Sequence, residues 1–188
     1  SLLIFSGGET RALTGPVNEG SSYYTVADAL KLWGRGSTVR ARTMTEEFAT
    51  DSFQNLMFSI CRFKEITNNY PSLVTVVSFS FKRHRFETLH APALRLPSFR
   101  FIGVDPPADT GFNYREAAEG EATNAALPFE TDIYGCYEDV LRNKREGRNP
   151  FMRMAPYELS CPEMKGLLKW CGPGLYPDDL PWDERKKK

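Results

Sequence analysis

The apolar positions of this chain fall into short runs separated by segments of helical spacing. Leu2-Leu3-Ile4-Phe5 is an apolar run stopped by Gly7-Gly8 and predicts a buried strand. Tyr23, Tyr24, Val26, Ala27, Leu30 and Trp33 then recur at helical spacing, with Glu19 and Ser21 ahead of them and Gly34 and Gly36 as the expected stop. Thr38 to Arg42 reads as a short strand. The clearest stripe is Phe53, Leu56, Met57, Ile60 and Cys61, a helix broken at Asn68-Asn69-Tyr70-Pro71.

Leu73 to Val77 is β-branched and uninterrupted, the pattern of a strand buried on both faces. A basic helix is predicted from about Phe81 to Leu94, and a further strand from Phe99 to Val104, closed by Asp105-Pro106-Pro107. Ala108 to Leu127 reads as a long surface loop, and Phe129 to Arg145 as a last helix presenting Ile133, Cys136, Tyr137 and Val140. This alternation predicts an α/β fold, a Rossmann-like three-layer sandwich with a mainly parallel sheet and right-handed crossovers. The domain is expected over residues 1–150. An irregular Pro-rich extension follows over 151–188, ending in Glu184-Arg185-Lys186-Lys187-Lys188 as a solvated run. Because the chain opens inside a strand, its true N-terminus is expected upstream.

Composition narrows the function. With 41% hydrophobic and 13% aromatic residues, the 188-residue chain can build a true core. Its 24 basic and 24 acidic residues cancel, so no global field draws it to nucleic acid, and any basic site must be local. No apolar run approaches the length of a membrane span. Four cysteines, Cys61, Cys136, Cys161 and Cys171, lack CxxC spacing, and His84 and His90 have no cysteine at ligand spacing, so no metal set is expected. Cys61 reads as a small buried hydrophobe. A Cys161–Cys171 bridge is the conceivable disulfide, although the expected setting is the reducing cytoplasm.

In a parallel sheet all strand carboxyl ends face one edge, where ligands bind. That rule gathers Ser6-Gly7-Gly8, Thr43 to Glu47, Ser78 to Arg85 and Asp105 at one rim. Ser6, Gly7 and Gly8 offer backbone N–H groups to an anion, or simply a turn. Ser78, Lys82 and Arg85 place a hydroxyl and two cations at a strand end and helix start, the place where a helix itself prefers acids. Lys82 and Arg85, three apart, can share one helix face; a solvated basic face is the plain alternative. His84 points elsewhere. Glu19 and Glu46 either cap their helices or orient a substrate hydroxyl or water, with Ser52 and Asn55 as hydrogen-bonding support.

Four ordered blocks, Leu3 to Gly8, Asn18-Glu19-Gly20, Glu46 to Asn55 and Val76 to Phe86, make the first half of the chain resemble domain-of-unknown-function family 218, the SanA/YdcF-like group, in a eukaryotic branch. The resemblance implies a Rossmann-like fold with a strand and helix ahead of the Ser-Gly-Gly strand. Ala49, Ser52 and Gln54 replace family residues in the third block. Lys82 stands where the family carries His, while Arg85 matches, which turns a potential general base into an anion clamp. The expected activity is therefore an enzyme-like site for a small anionic compound, phosphorylated or nucleotide-like. The competing readings are a binding module without turnover and an interaction protein using the aromatic tail from Tyr157 to Trp182. The cofactor is left unknown.

Overall fold

The structure, a computed structural model, describes residues 1–34 and 37–183. In chain order it contains β1 (Leu3–Ser6), α1 (Glu19–Ala29), α2 (Ser37–Ala41), β2 (Thr43–Glu46), α3 (Ser52–Thr67) and β3 (Val74–Ser78). A π-helical turn, Arg85–His90, runs into α4 (Ala91–Ala93), followed by β4 (Phe99–Gly103) and α5 (Tyr114–Glu121). A second π-helical segment, Ala122–Ala126, leads to α6 (Leu127–Thr131), then α7 (Asp139–Gly147), α8 (Tyr157–Ser160) and α9 (Lys165–Lys169). The protein is mixed α/β with short parallel strands. Where the sequence predicts one sheet, the strands pair two by two, β1 with β2 and β3 with β4. Hydrophobic spacing reports that a strand exists, not which strand becomes its neighbour. The chain folds as two units, one of Ser1–Tyr70 with Asn143–Lys165, the other of Pro71–Arg142 with the segment from Gly166.

In the first unit β1 and β2 run parallel, from Leu3↔Thr43 to Ser6↔Glu46, and α1 and α2 make the crossover that parallel strands require. Asn18 caps α1, its side chain accepting from Ser21 N–H at 2.7 Å. Asp51 caps α3 through Gln54 N–H at 2.9 Å, and Asn68 ends it in the left-handed conformation. The stripe of α3 is buried as predicted, with Phe53, Leu56, Met57, Ile60 and Cys61 in the core. The segment 38–42 is not a strand: it is helical to Ala41, with Arg42 in a turn. Val39 C=O accepts from Arg42 N–H and from the Thr43 hydroxyl, and pairing with β1 starts only at Thr43. Tertiary pairing overrides the β-branched residues Thr38 and Val39. The part of the tail expected to be irregular forms α8, whose Tyr157 is buried against Phe58, ring centroids 5.0 Å apart. Helix α1 ends at Ala29, before Gly34; Gly36 and the terminal charged run lie outside the described residues.

In the second unit β3 and β4 pair from Val74↔Phe99 to Ser78↔Gly103. Burial alternates along β3, and Val77 is 62% exposed, so the strand is covered on one face and not on both. The predicted loop 108–127 is largely helical. Asn113 accepts from Glu116 N–H at 3.1 Å, and the Glu116 carboxylate takes the Asn113 amide at 2.9 Å. This reciprocal cap starts a run of Ala and Glu, both good helix formers. The single helix predicted over 129–145 is two, α6 and α7. Between them Gly135 has φ 67°, and Asp132 accepts from Glu138 N–H at 3.0 Å. Cys136 in this break is disulfide-bonded to Cys171, Cα atoms 5.5 Å apart, and Cys171 is therefore not the partner of Cys161. Trp182 donates to Leu94 C=O at 2.9 Å and Arg95 pairs with Asp183 at 2.8 Å, which fastens the last described residues to this unit.

Candidate functional site

Ser6 and Glu46 are register partners at the carboxyl ends of β1 and β2, so their side chains emerge together. The Ser6 hydroxyl lies 2.6 Å from one Glu46 oxygen and 2.9 Å from Asn55 Oδ1; having one proton, it donates to one of them at a time. Asn55 reaches this point from the first turn of α3. Glu46 is 1% exposed and saturated. Besides Ser6, it accepts from Phe48 N–H at 2.8 Å, the Tyr157 hydroxyl at 3.1 Å and Ala49 N–H at 3.4 Å. Burial pushes the Glu46 carboxyl above the usual carboxylate range, and these four donors pull the other way. Burial, and then the Glu46 charge, pushes the Tyr157 hydroxyl up as well.

The glycines let α1 lie directly on this cluster. A Cβ on Gly20 would stand 2.5 Å from Glu46 C=O and 2.8 Å from Phe5 C=O, and one on Gly7, at φ 153°, would meet the Glu19 Cβ at 2.7 Å. Gly7 N–H donates to Glu46 C=O at 3.0 Å and Gly8 N–H to Ala49 C=O at 2.7 Å. The two donors expected to face an anion are thus taken by the protein's own carbonyls. Glu19 is exposed at the start of α1 and accepts from the Thr10 hydroxyl at 3.1 Å. Ser52 begins α3 and is half-buried. Glu9, which follows the glycines, is buried and ion-paired with Arg153, whose guanidinium lies 5.0 Å over the Phe48 ring. A small cavity of about 230 Å³ opens among Thr45, Glu47, Arg62, Glu65 and Tyr157.

The basic stretch belongs to the second unit. Ser78 ends β3, and its C=O accepts from Val104 N–H at 2.8 Å. The chain then turns through Phe79 to Lys82, held by Ser80 N–H donating to Asp105 at 2.8 Å. Phe79 stacks with Phe81 and with Phe112, ring centroids 5.4 Å apart in each pair, and Phe81 and Tyr114 meet edge to face at 5.5 Å. Lys82 Nζ lies 5.5 Å over the Phe79 ring. Phe112 and Tyr114 keep 40% and 41% of their surface exposed. Arg85 does not join Lys82: it is 5% exposed and pairs with Glu121 at 3.2 Å. The chain between them changes from a tight 3₁₀ turn to a wide π-helical one, so three-residue spacing no longer places two side chains on one face.

Sequence reasoning missed Tyr157 and Arg153 because they lie in the segment expected to be irregular, and Phe112 and Tyr114 because they lie in the supposed loop. The one signal was the density of aromatic residues there. Among the described residues no group of three or more His, Cys, Asp or Glu side chains is placed to hold a metal ion, and no helix is long and apolar enough to cross a membrane.

No protein-family model and no solved structure matches the chain. It is similar to the uncharacterised protein YOR238W of Saccharomyces cerevisiae, with 31% identity over 201 residues, covering 82% of this chain and 64% of the yeast protein. The chain therefore spans less than two thirds of the length of that relative.

Proposed function

We propose that this chain binds a small anionic molecule carrying a planar ring, nucleotide-like in its chemistry, at the carboxyl end of β3. The observation that carries this reading is the aromatic group Phe79, Phe81, Phe112 and Tyr114 with Lys82 set over it. A ring face accepts a second planar ring, and an ammonium group beside it accepts the anion. One stacked ring and one exposed ion pair together contribute about 1–4 kcal/mol, the scale of millimolar or weaker binding. Ser78 supplies a hydroxyl at the same strand end.

Binding without turnover is the favoured form of this proposal, because Glu46, the acid–base candidate, is saturated by four protein donors. Glu19 is the exposed acid on which an enzymatic version would rest. The resemblance to family 218 and a Rossmann-like arrangement belong to the proposal too. Their support is that the blocks Leu3 to Gly8, Asn18 to Gly20 and Glu46 to Asn55 converge within the first unit, and that each strand pair is parallel with a helical crossover. The cytoplasm is the compartment the proposal assigns.

Calorimetric titration of the full chain with a nucleoside monophosphate, the matching uncharged nucleoside and inorganic phosphate tests the reading. The nucleotide is expected to bind more tightly than either part, and Lys82→Ala to bring it down to the level of the nucleoside. No heat from any of the three, or equal nucleotide affinity in Lys82→Ala and the unaltered chain, would overturn it.

A further inference from the structure

The Cys136–Cys171 disulfide fastens the tail of the second unit to the break between α6 and α7, across a separation of 35 residues. Unlike a disulfide enclosed in a core, it is open to small thiols, because Cys171 is exposed and Cys136 is half-buried. Beyond it the tail crosses the turn that ends α4. Tyr176 N–H donates to the Tyr134 hydroxyl at 2.9 Å, and that hydroxyl donates on to Ala93 C=O at 3.1 Å. Arg95 donates to Tyr176 C=O at 3.2 Å and to Asp178 C=O at 2.5 Å. Tyr176 and Leu180 are buried along this path. Apart from the disulfide these holds are hydrogen bonds, an ion pair and apolar contacts, the kind that opens locally.

The two sulfurs are placed to part and to meet again. Cys171 sits in a turn that other contacts shape. Trp170 Nε1–H donates to Gly174 C=O at 3.0 Å, and the Trp170 ring covers Gly172, where a Cβ would stand 2.4 Å from it. Cys136 Sγ lies 3.4 Å from Trp170 C=O, an acceptor of no use to a disulfide sulfur and ready for a thiol. Once reduced, the pair keeps a hydrogen bond between the same two segments.

We propose that Cys136–Cys171 is a redox switch for the tail, opened by a small thiol of the glutathione type, so that Gly172 to Asp183 loosens over Ala93 to Arg95. An external thiolate attacks the exposed Cys171 sulfur, forming a mixed disulfide and expelling the Cys136 thiolate. A second external thiolate attacks the external sulfur of that mixed disulfide and expels the Cys171 thiolate. The protein disulfide gains two electrons and, from the two external thiols, two protons, while those thiols become one external disulfide. In a reducing compartment an accessible bond of this kind is a sensor and not a fixed staple.

The coupling to the tail follows from position. Tyr134 is two residues from Cys136 and Tyr176 is five from Cys171, so the closed bond keeps the Tyr176–Tyr134 contact within a short tether. Opened, the same contact joins residues 42 apart in the chain. In a fully unfolded chain, closing a loop of this separation is worth a factor on the order of a few hundred. Helix α9, with Leu167 buried just ahead of the tail, keeps part of that. The amides of Tyr176, Leu180 and Asp183, which are hydrogen-bonded in the closed tail, should therefore exchange about ten- to a hundred-fold faster after reduction.

The test equilibrates the full, unaltered chain with graded ratios of reduced to oxidised glutathione under native conditions. Alkylation and peptide mapping by mass spectrometry follow the bond, and hydrogen exchange follows the tail. The expected result is opening without denaturant, with Cys136 and Cys171 alkylated while the buried Cys61 and Cys161 stay protected. Exchange at Tyr176, Leu180 and Asp183 should rise in step, and oxidised glutathione should restore the original rates. Cys136→Ser should hold a glutathione adduct on Cys171 and show the fast exchange at every ratio. A bond that opens only when denaturant unfolds the chain would overturn the proposal, as would opening that leaves the tail amides at their original rates.

Discussion

Replacing Tyr157 by Phe removes one oxygen atom from the core and leaves everything else in place. The ring stays packed against Phe58, at 5.0 Å, and keeps its edge contact with Phe48, at 6.0 Å, so no cavity forms. What disappears is the 3.1 Å hydrogen bond to Glu46, a carboxylate that is 1% exposed. A hydrogen bond to a charged group is worth about 1.5–3 kcal/mol, and losing it leaves the acceptor desolvated. For a chain of this size that corresponds to a fall of roughly 3–12 °C in melting temperature. The change should appear in urea unfolding as a lower midpoint with the slope retained. Native-state hydrogen exchange should localise it to α3 and the ends of β1 and β2, because the chain comprises two units and one global transition need not describe both. Tyr157→Ala also removes the ring and should cost about 3–5 kcal/mol. A Tyr157→Phe protein as stable as the original would refute the reasoning, since it would show that Glu46 gains nothing from its partner in the tail.

Other perturbations reach the same architecture from different sides. Gly20→Ala drives a Cβ against two backbone carbonyls, at 2.5 and 2.8 Å, and should destabilise the first unit by about 2–3 kcal/mol; unfolding by urea checks this. The folded Glu46 carboxyl holds its proton more tightly than the unfolded one, so its contribution to stability is full below the ordinary Glu value and is lost as pH rises through the higher folded value. Melting temperature measured across that window should fall for the unaltered chain and flatten in Glu46→Gln. Arg85→Met leaves Glu121 buried without its cation, and should cost about 3–5 kcal/mol in the second unit, read by urea unfolding with hydrogen exchange on β3 and β4.

Much of the local structure was legible because it is written in short spacings. The apolar stripe of α3, the stop at Asn68 and the β-branched run ending at Val77 each report on residues within a few positions of one another, and they match the elements closely. The meeting of Ser6, Glu46 and Asn55 was legible for a different reason: parallel neighbouring strands put their carboxyl ends side by side, so polar residues at those ends converge whatever their sequence separation. What pairs beyond that rule was not legible. Tyr157 on Glu46 and Arg153 on Glu9 join positions 111 and 144 residues apart, and no periodicity encodes such a contact. The aromatic group around Phe79 needed Phe112 and Tyr114, hidden in a segment read as loop because Gly and Asn are interspersed among its Ala and Glu. Arg85 was placed beside Lys82 on the spacing of a regular helix. The passage from a 3₁₀ to a π-helical turn carried it instead into the core, onto Glu121.

The proposed binding surface is tested most directly by following backbone amide resonances while a nucleoside monophosphate is titrated into the full chain. Saturable shifts of Phe79 to Lys82 and of Phe112 to Tyr114 are expected, and in Lys82→Ala the same residues should respond only as weakly as they do to the uncharged nucleoside. Shifts confined to other residues, or none at ligand concentrations in the millimolar range, would contradict the account.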